Sequence, residues 1–202
     1  ATARKGKPLL ISTGVADLSD IELAINTCKY VGNEDITLLK CTSQYPATIE
    51  QANLKTIPDM KKRFGVKVGL SDHTMGWLVP VTAVALGATV VEKHFILDRT
   101  LGGPDASFSM EPQEFKEMVN LIRDAEKAMG KISYEITDKD RNKRRSLFAS
   151  ADIKQGDVFT ESNVRSLRPG FGLPPCHYME LLGKKSSRDI SKGDIIRMSD
   201  IN

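Results

Sequence analysis

The chain has 202 residues, 40% of them hydrophobic and 27% charged, with a net charge of +3 at neutral pH. That is the make-up of an ordinary globular protein of one large or two small domains. A charge so near balance, scattered except for Arg141-Asn142-Lys143-Arg144-Arg145, gives no footprint for nucleic acid, and the cluster reads as a solvated interdomain segment. No apolar run reaches membrane-spanning length. Cys28, Cys41 and Cys176 lack CxxC spacing and read as free thiols of a reducing cytoplasm.

The elements then follow one grammar. Residues 9–12 predict a short apolar strand running into Ser12-Thr13-Gly14, whose hydroxyls and backbone N–H groups suit a phosphate or carboxylate. A helix over 21–30 follows, with Ser19 and Glu22 forming a capping box and Gly32 near its end. A strand over 36–40 leads into Cys41-Thr42-Ser43-Gln44-Tyr45-Pro46, and a helix over 52–64, broken or restarted at Pro58, closes at Gly65. Strands over 66–70 and 89–91 flank an Ala-rich helix over 77–86 and end in Ser71-Asp72-His73 and Glu92-Lys93-His94.

A regular strand and helix repeat with a polar cluster after each strand predicts an α/β fold with a parallel sheet, and four such units are half of an eight-stranded barrel. Neither GxGxxG nor GxxxxGK[ST] occurs, so dinucleotide and P-loop readings have no support. Polar residues at carboxyl ends of parallel strands stand where such folds build their sites. Two readings of His73 and His94 follow. They form a shared metal or substrate site, imidazole being a common metal ligand, or each caps a strand or satisfies a core hydrogen bond. The stripe Val90, Glu92, His94, which turns polar only as the strand leaves the core, favours the shared site. Two histidines alone leave a coordination sphere incomplete.

Residues 96–109 predict a Gly- and Asp-rich loop, and Pro112 opens a helix whose apolar face is Phe115, Met118, Val119, Ile122 and Ala125. Residues 132–144 read as a polar linker. From 145 the pattern changes to short β segments, with two turns of one form, Ile153-Lys-Gln-Gly-Asp-Val and Ile190-Ser-Lys-Gly-Asp-Ile, an internal duplication. Arg168 opens the stiff Pro-Gly loop of this module.

The motifs Ile11-Ser-Thr-Gly, Cys41-Thr-Ser-Gln-Tyr-Pro, Leu70-Ser-Asp-His-Thr, Val91-Glu-Lys-His-Phe and Gly103-Pro-Asp, followed by Arg168-Pro-Gly, resemble the sialic acid synthase family. Those enzymes condense phosphoenolpyruvate with an amino sugar to give nine-carbon 2-keto acids. The resemblance covers the whole chain. It implies the C-terminal half of a (β/α)8 TIM barrel over 1–131, a linker over 132–144 and an antifreeze-like SAF domain over 145–202. The chain would then be a piece of a longer protein, inactive by itself.

By the same resemblance His73 and His94 are ligands of Mn2+ or Mg2+ and, with Asp105, the catalytic groups. Ser12 and Ser71 contact phosphoenolpyruvate, while Tyr45 and Asp105 contact the sugar. Ser43 stands at a substrate-contact position where the family often carries Asn, and Glu92 has at most a supporting role. Arg168 enters the active site of the partner subunit in a swapped homodimer. The run from Phe95 to Pro112 is most similar to the pseudaminic acid branch, with Ala106 and Phe108 giving an apolar pocket suited to a 6-deoxy sugar. The alternatives are a legionaminate or N-acetylneuraminate synthase with the same chemistry, and a binding or dimerisation module without catalysis.

Overall fold

A computed structural model describes residues 1–202. Strands β1 (Leu9–Ser12), β2 (Ile36–Cys41), β3 (Lys67–Asp72) and β4 (Val91–Lys93) pair in that order as one parallel sheet. Helices α1 (Leu18–Tyr30), α2 (Thr56–Phe64), α3 (Leu78–Ala85) and α4 (Pro112–Met129) follow the strands in turn, giving the expected α/β half-barrel. Strand alternation sorts the residues by face. Ile36, Leu38, Val68 and Leu70 turn to the helices and pack with Ile25, Ile57, Met60, Val79 and Ala83. Each such fully buried aliphatic side chain is worth about 1.5–3 kcal/mol.

The structure shifts several boundaries. The α1 cap is Asp17 with Asp20 in a reciprocal box, not Ser19 with Glu22. Ser19 instead donates its hydroxyl to Asp17 at 2.6 Å. The carboxylate wins because it is the stronger acceptor and suits the positive end of the helix. The expected helix over 52–64 divides into a 3-10 turn, Glu50–Ala52, and α2, in which Pro58 sits in the first turn, where a missing N–H costs nothing. Strands β3 and β4 run two residues further than the apolar runs predict. Ser71, Asp72, Glu92 and Lys93 are therefore strand residues, with their facing set by the ladder.

The chain divides into two compact units, Ala1–Lys131 and Ile132–Asn202. In the second, β5 (Ser146–Ala149) and β6 (Val164–Leu167) pair antiparallel over a core of Leu147, Ile153, Phe159, Ile190 and Ile196. The expected linker over 132–144 holds a short helix, α5 (Asp138–Arg141), capped by Thr137 and Asp140. Its Arg141 carbonyl accepts from Gly170 N–H at 2.9 Å, so this segment is tied to the Arg168 loop. A last short helix, α6 (Tyr178–Leu181), precedes the second of the duplicated turns.

Those turns form a mutual clasp. Ile153 and Ile190 exchange both backbone bonds, at 2.9 and 2.8 Å. Asp189 accepts from Gln155 N–H at 2.8 Å, and Asp152 accepts from Lys192 N–H at 2.7 Å. Gly156 and Gly193, with φ of 89° and 92°, occupy the same left-handed position in the two turns, where a side chain would be strained.

Candidate active site

The inner face of the sheet carries small and polar residues towards the carboxyl ends of its strands, opposite the apolar helix-facing side. Ser12, Cys41, Ser43, Tyr45, Ser71, His73, Glu92 and His94 line one open cleft of about 600 Å3. The alternation that sends Leu70 and Asp72 to the helices sends Ser71 and His73 here, and it sends Glu92 and His94 here from β4. The expected site residues Ser12, Ser43, Tyr45, Ser71, His73 and His94 are thus brought together. Asp105 does not line the cleft but stands beside it, with Oδ2 3.5 Å from His94 Nδ1. Arg168 is an exposed residue of the second unit, on a loop fastened by Ser146 Oγ donating to the Pro169 carbonyl at 2.6 Å.

The two imidazoles form the centre of a small aromatic cluster. Their ring centroids lie 5.1 Å apart at 67°, with Tyr45 4.2 Å from His73 and Phe108 5.0 Å from His94. His73 is 6% exposed. Its Nδ1 lies 2.7 Å from the Thr42 carbonyl, an acceptor only, so Nδ1 carries the proton and Nε2 keeps its lone pair for a ligand. His94 points its own Nδ1 towards Asp105 Oδ2 across 3.5 Å, a looser contact than that of His73. No group of three His, Cys, Asp or Glu side chains able to hold a metal ion forms anywhere in the chain. Any ion here would take the two histidines and fill its other positions with oxygen ligands.

Backbone bonds hold these side chains in place. Ala47 N–H donates to the His73 carbonyl at 2.9 Å, and Met110 N–H to the His94 carbonyl at 2.9 Å. The loop between β4 and α4 is clamped by Arg99, which donates to the Ser109 carbonyl at 3.0 Å and pairs with Glu114. At Gly14 a Cβ would lie 2.1 Å from Ser43 Oγ and 3.2 Å from Cys41 Sγ, so the hydroxyl of Ser43 occupies space that only glycine leaves open.

Two details differ from the sequence reading. Ala106 and Phe108 are buried, 8% and 5% exposed, and do not line the cleft. Phe108 backs the His94 and Tyr45 rings, because a 3-10 turn, Ala106–Phe108, folds the loop inward. Glu92 lines the cleft directly, and Ser71 Oγ donates to its carboxylate at 2.6 Å. The alternation of β4 carried the signal for Glu92, since it shares the stripe of His94. Ser71 meets an anion with its proton only after its hydroxyl rotates away from Glu92.

The comparisons with known proteins agree with one another. The NeuB family model matches residues 1–134 and the SAF domain model residues 144–202. The chain is 49% identical over 201 residues to a pseudaminic acid synthase of Campylobacter jejuni, covering 98% of this chain and 59% of that protein. It is 43% identical over 201 residues to an N,N'-diacetyllegionaminic acid synthase of the same species, covering 96% and 60%. The crystal structure of the spore coat polysaccharide biosynthesis protein SpsE of Bacillus subtilis superposes with a TM-score of 0.60 at 36% identity, over 99% of this chain and 62% of that one. The chain thus spans about three fifths of the length of the curated relatives it matches. No helix is long and apolar enough to cross a membrane. The chain belongs to the NeuB family, with a half-barrel unit followed by a SAF domain.

Proposed function

We propose that the protein to which this chain belongs condenses phosphoenolpyruvate with a 2,4-diacetamido-2,4,6-trideoxy hexose, giving pseudaminic acid and phosphate. The observation that carries this reading is the convergence of His73 and His94 on one cleft, in a chain 49% identical to a pseudaminic acid synthase. In the reaction C3 of phosphoenolpyruvate bonds to the aldehyde carbon of the open-chain sugar, water adds at C2, and phosphate leaves with cleavage of its C–O bond.

The residues divide this work by type. Ser12 and Ser71, with the backbone N–H groups around Gly14, hold the phosphate and carboxylate of phosphoenolpyruvate, because hydroxyls and amides stabilise negative charge without reacting. Glu92 holds the Ser71 proton until the anion arrives and then stands free in the cleft as an acceptor. Tyr45 and Asp105 orient the sugar, and Ser43 fills the gap beside Gly14. His73 and His94, each with one ring nitrogen turned to a protein acceptor and the other left free, would hold a divalent ion such as Mn2+ or Mg2+. That ion would supply Lewis-acid polarisation of the aldehyde oxygen. Arg168 acts in the site of a partner subunit, in a swapped homodimer of the full-length protein.

The legionaminic acid reading keeps every one of these roles and changes only the sugar, and the 43% identity to such a synthase supports it as the second choice. One experiment separates the substrates. Phosphate release from phosphoenolpyruvate by the full-length protein with Mn2+ is compared on 2,4-diacetamido-2,4,6-trideoxy-altrose, on the corresponding legionaminic acid precursor and on N-acetylmannosamine. Release with the first alone is expected. Release only with another keeps the chemistry and overturns the sugar assignment, and release with none overturns the function.

A further inference from the structure

Behind the two histidines, on the helix-facing side of the sheet, lies an ion pair that the chemistry above does not use. Asp72 and Lys93 sit side by side in the ladder of β3 and β4, each one residue before a histidine. Lys93 Nζ lies 2.5 Å from Asp72 Oδ2, and the two side chains are 1% and 2% exposed. The same ammonium donates to the Thr74 carbonyl. Asp72 Oδ1 in turn accepts from Thr74 N–H at 3.1 Å and from its hydroxyl at 2.9 Å. Every bond of this knot therefore ends at the strand exit that carries His73, while its anchor is the residue before His94.

Energy does not explain such a pair. Desolvating two charges cancels much of their attraction, and apolar residues of similar size often serve stability equally well. Placement does explain it. A lysine rooted in β4 that grips the exit turn of β3 makes the backbones of His73 and His94 move together, whereas apolar packing would let the strand ends slide. Strand β2 repeats the device. Lys40, buried on the same face, donates to Thr42 Oγ1 at 2.7 Å and to the Gln51 carbonyl at 3.5 Å, steadying the loop of Ser43 and Tyr45. Burial pushes the Lys40 ammonium below its usual range, against the neighbouring charge of Asp72.

We propose that the Asp72–Lys93 pair is a positioning device that sets the separation of the His73 and His94 rings. The proposal rests on the reading of those two side chains as the ligand pair of the cleft. Its test uses the full-length protein with Lys93→Met and with the double variant Asp72→Asn/Lys93→Met. The single variant leaves a buried carboxylate unpaired and is expected to melt well below wild type, while the double variant recovers most of that loss.

Two readouts then separate positioning from plain stability. In the double variant Mn2+ affinity, followed by electron paramagnetic resonance, is expected to fall about 10- to 100-fold. The nuclear Overhauser contact between the two imidazole rings in metal-free protein is expected to vanish. Either one staying at its wild-type value in the folded double variant overturns the proposal. If the wild type itself binds no Mn2+, the metal reading of the proposed function fails separately, and the ring contact alone decides. If the double variant does not fold, Lys93→Arg, which keeps the charge on a bulkier fork, is read by the same ring contact.

Discussion

The two units spend their polar residues in opposite ways. In the second unit the carboxylates of the duplicated turns and of Asp200 are consumed by the chain itself. Asp152 and Asp189 cap each other's turns, and Asp200 is held by Arg188 at 2.7 Å and by the Arg197 N–H at 2.8 Å. In the first unit the groups on the inner face of the sheet are left partly unspent. Each imidazole keeps one free nitrogen, Glu92 takes a single hydroxyl, and Asp105 stays largely exposed. The buried ionic contacts lie on the other face, as scaffolding. Comparison of the two shows where chemistry is available: it is where side-chain donors and acceptors outnumber the backbone groups that need them.

Removing an unspent group should hurt function most. His73→Ala or His94→Ala in the full-length protein is expected to lower phosphate release on the order of 10²–10⁴-fold, corresponding to the several kcal/mol that a metal supplies at a polarised oxygen. Melting temperature should hardly move for His94→Ala and fall modestly for His73→Ala, whose buried ring also serves the Thr42 carbonyl, and turnover within a few-fold of wild type for either would break the contrast at its centre.

Removing a packing group should do the reverse. Phe159, fully buried in the second unit, is expected to cost about 3–5 kcal/mol on replacement by Ala, measured by urea denaturation. Mn2+ affinity should stay within twofold, and a parallel loss of binding would mean that the division of labour is not clean.

Gly14→Ala sharpens the comparison inside the first unit. The added methyl meets Ser43 Oγ and Cys41 Sγ, overpacking worth about 1–3 kcal/mol. The expected result is a higher KM for phosphoenolpyruvate with kcat less affected, and an unchanged KM would show that the Ser43 position is unimportant. The smallest effect belongs to Asp200. Burial raises its pKa, but the Arg188 and Arg197 contacts outweigh this and hold it below the ordinary carboxylate range. A folded-state pKa that is depressed contributes stability present above the unfolded value, near 3.9, and lost as pH falls through the folded one. Asp200→Asn should therefore cost about 1–2 kcal/mol near neutrality and flatten the loss of stability below about pH 4. An acid limb as steep as wild type would assign it to other carboxylates.

Much of this arrangement could be read from residue order alone. Short continuous apolar runs and the polar clusters after them located the strands and brought Ser12, Ser43, Ser71, His73 and His94 to one end of the sheet, while period-2 alternation sorted the faces of β4. What escaped was competition between nearby groups of similar chemistry. Asp17 and Ser19 both suit a helix cap, and the choice between them falls to Asp17, the stronger acceptor, once the chain enters the helix in extended form at that residue. Phe108 and Ala106 sit in a loop without periodicity, so no pattern could tell cleft from core. Lys93 and Asp72 look like solvated charges in one dimension, and their burial appears only once β3 and β4 are aligned side by side.

The clasp of the second unit has a consequence for its motions. Ile153 and Ile190 satisfy each other, and Asp152 reaches Lys192 across 40 positions of sequence while Asp189 reaches Gln155 across 34. Neither turn can fray without stripping a partner from the other, so the two ends open as one event or not at all. Amide protons of Gln155 and Lys192 should accordingly exchange with solvent at matched, slow rates despite lying in exposed turns.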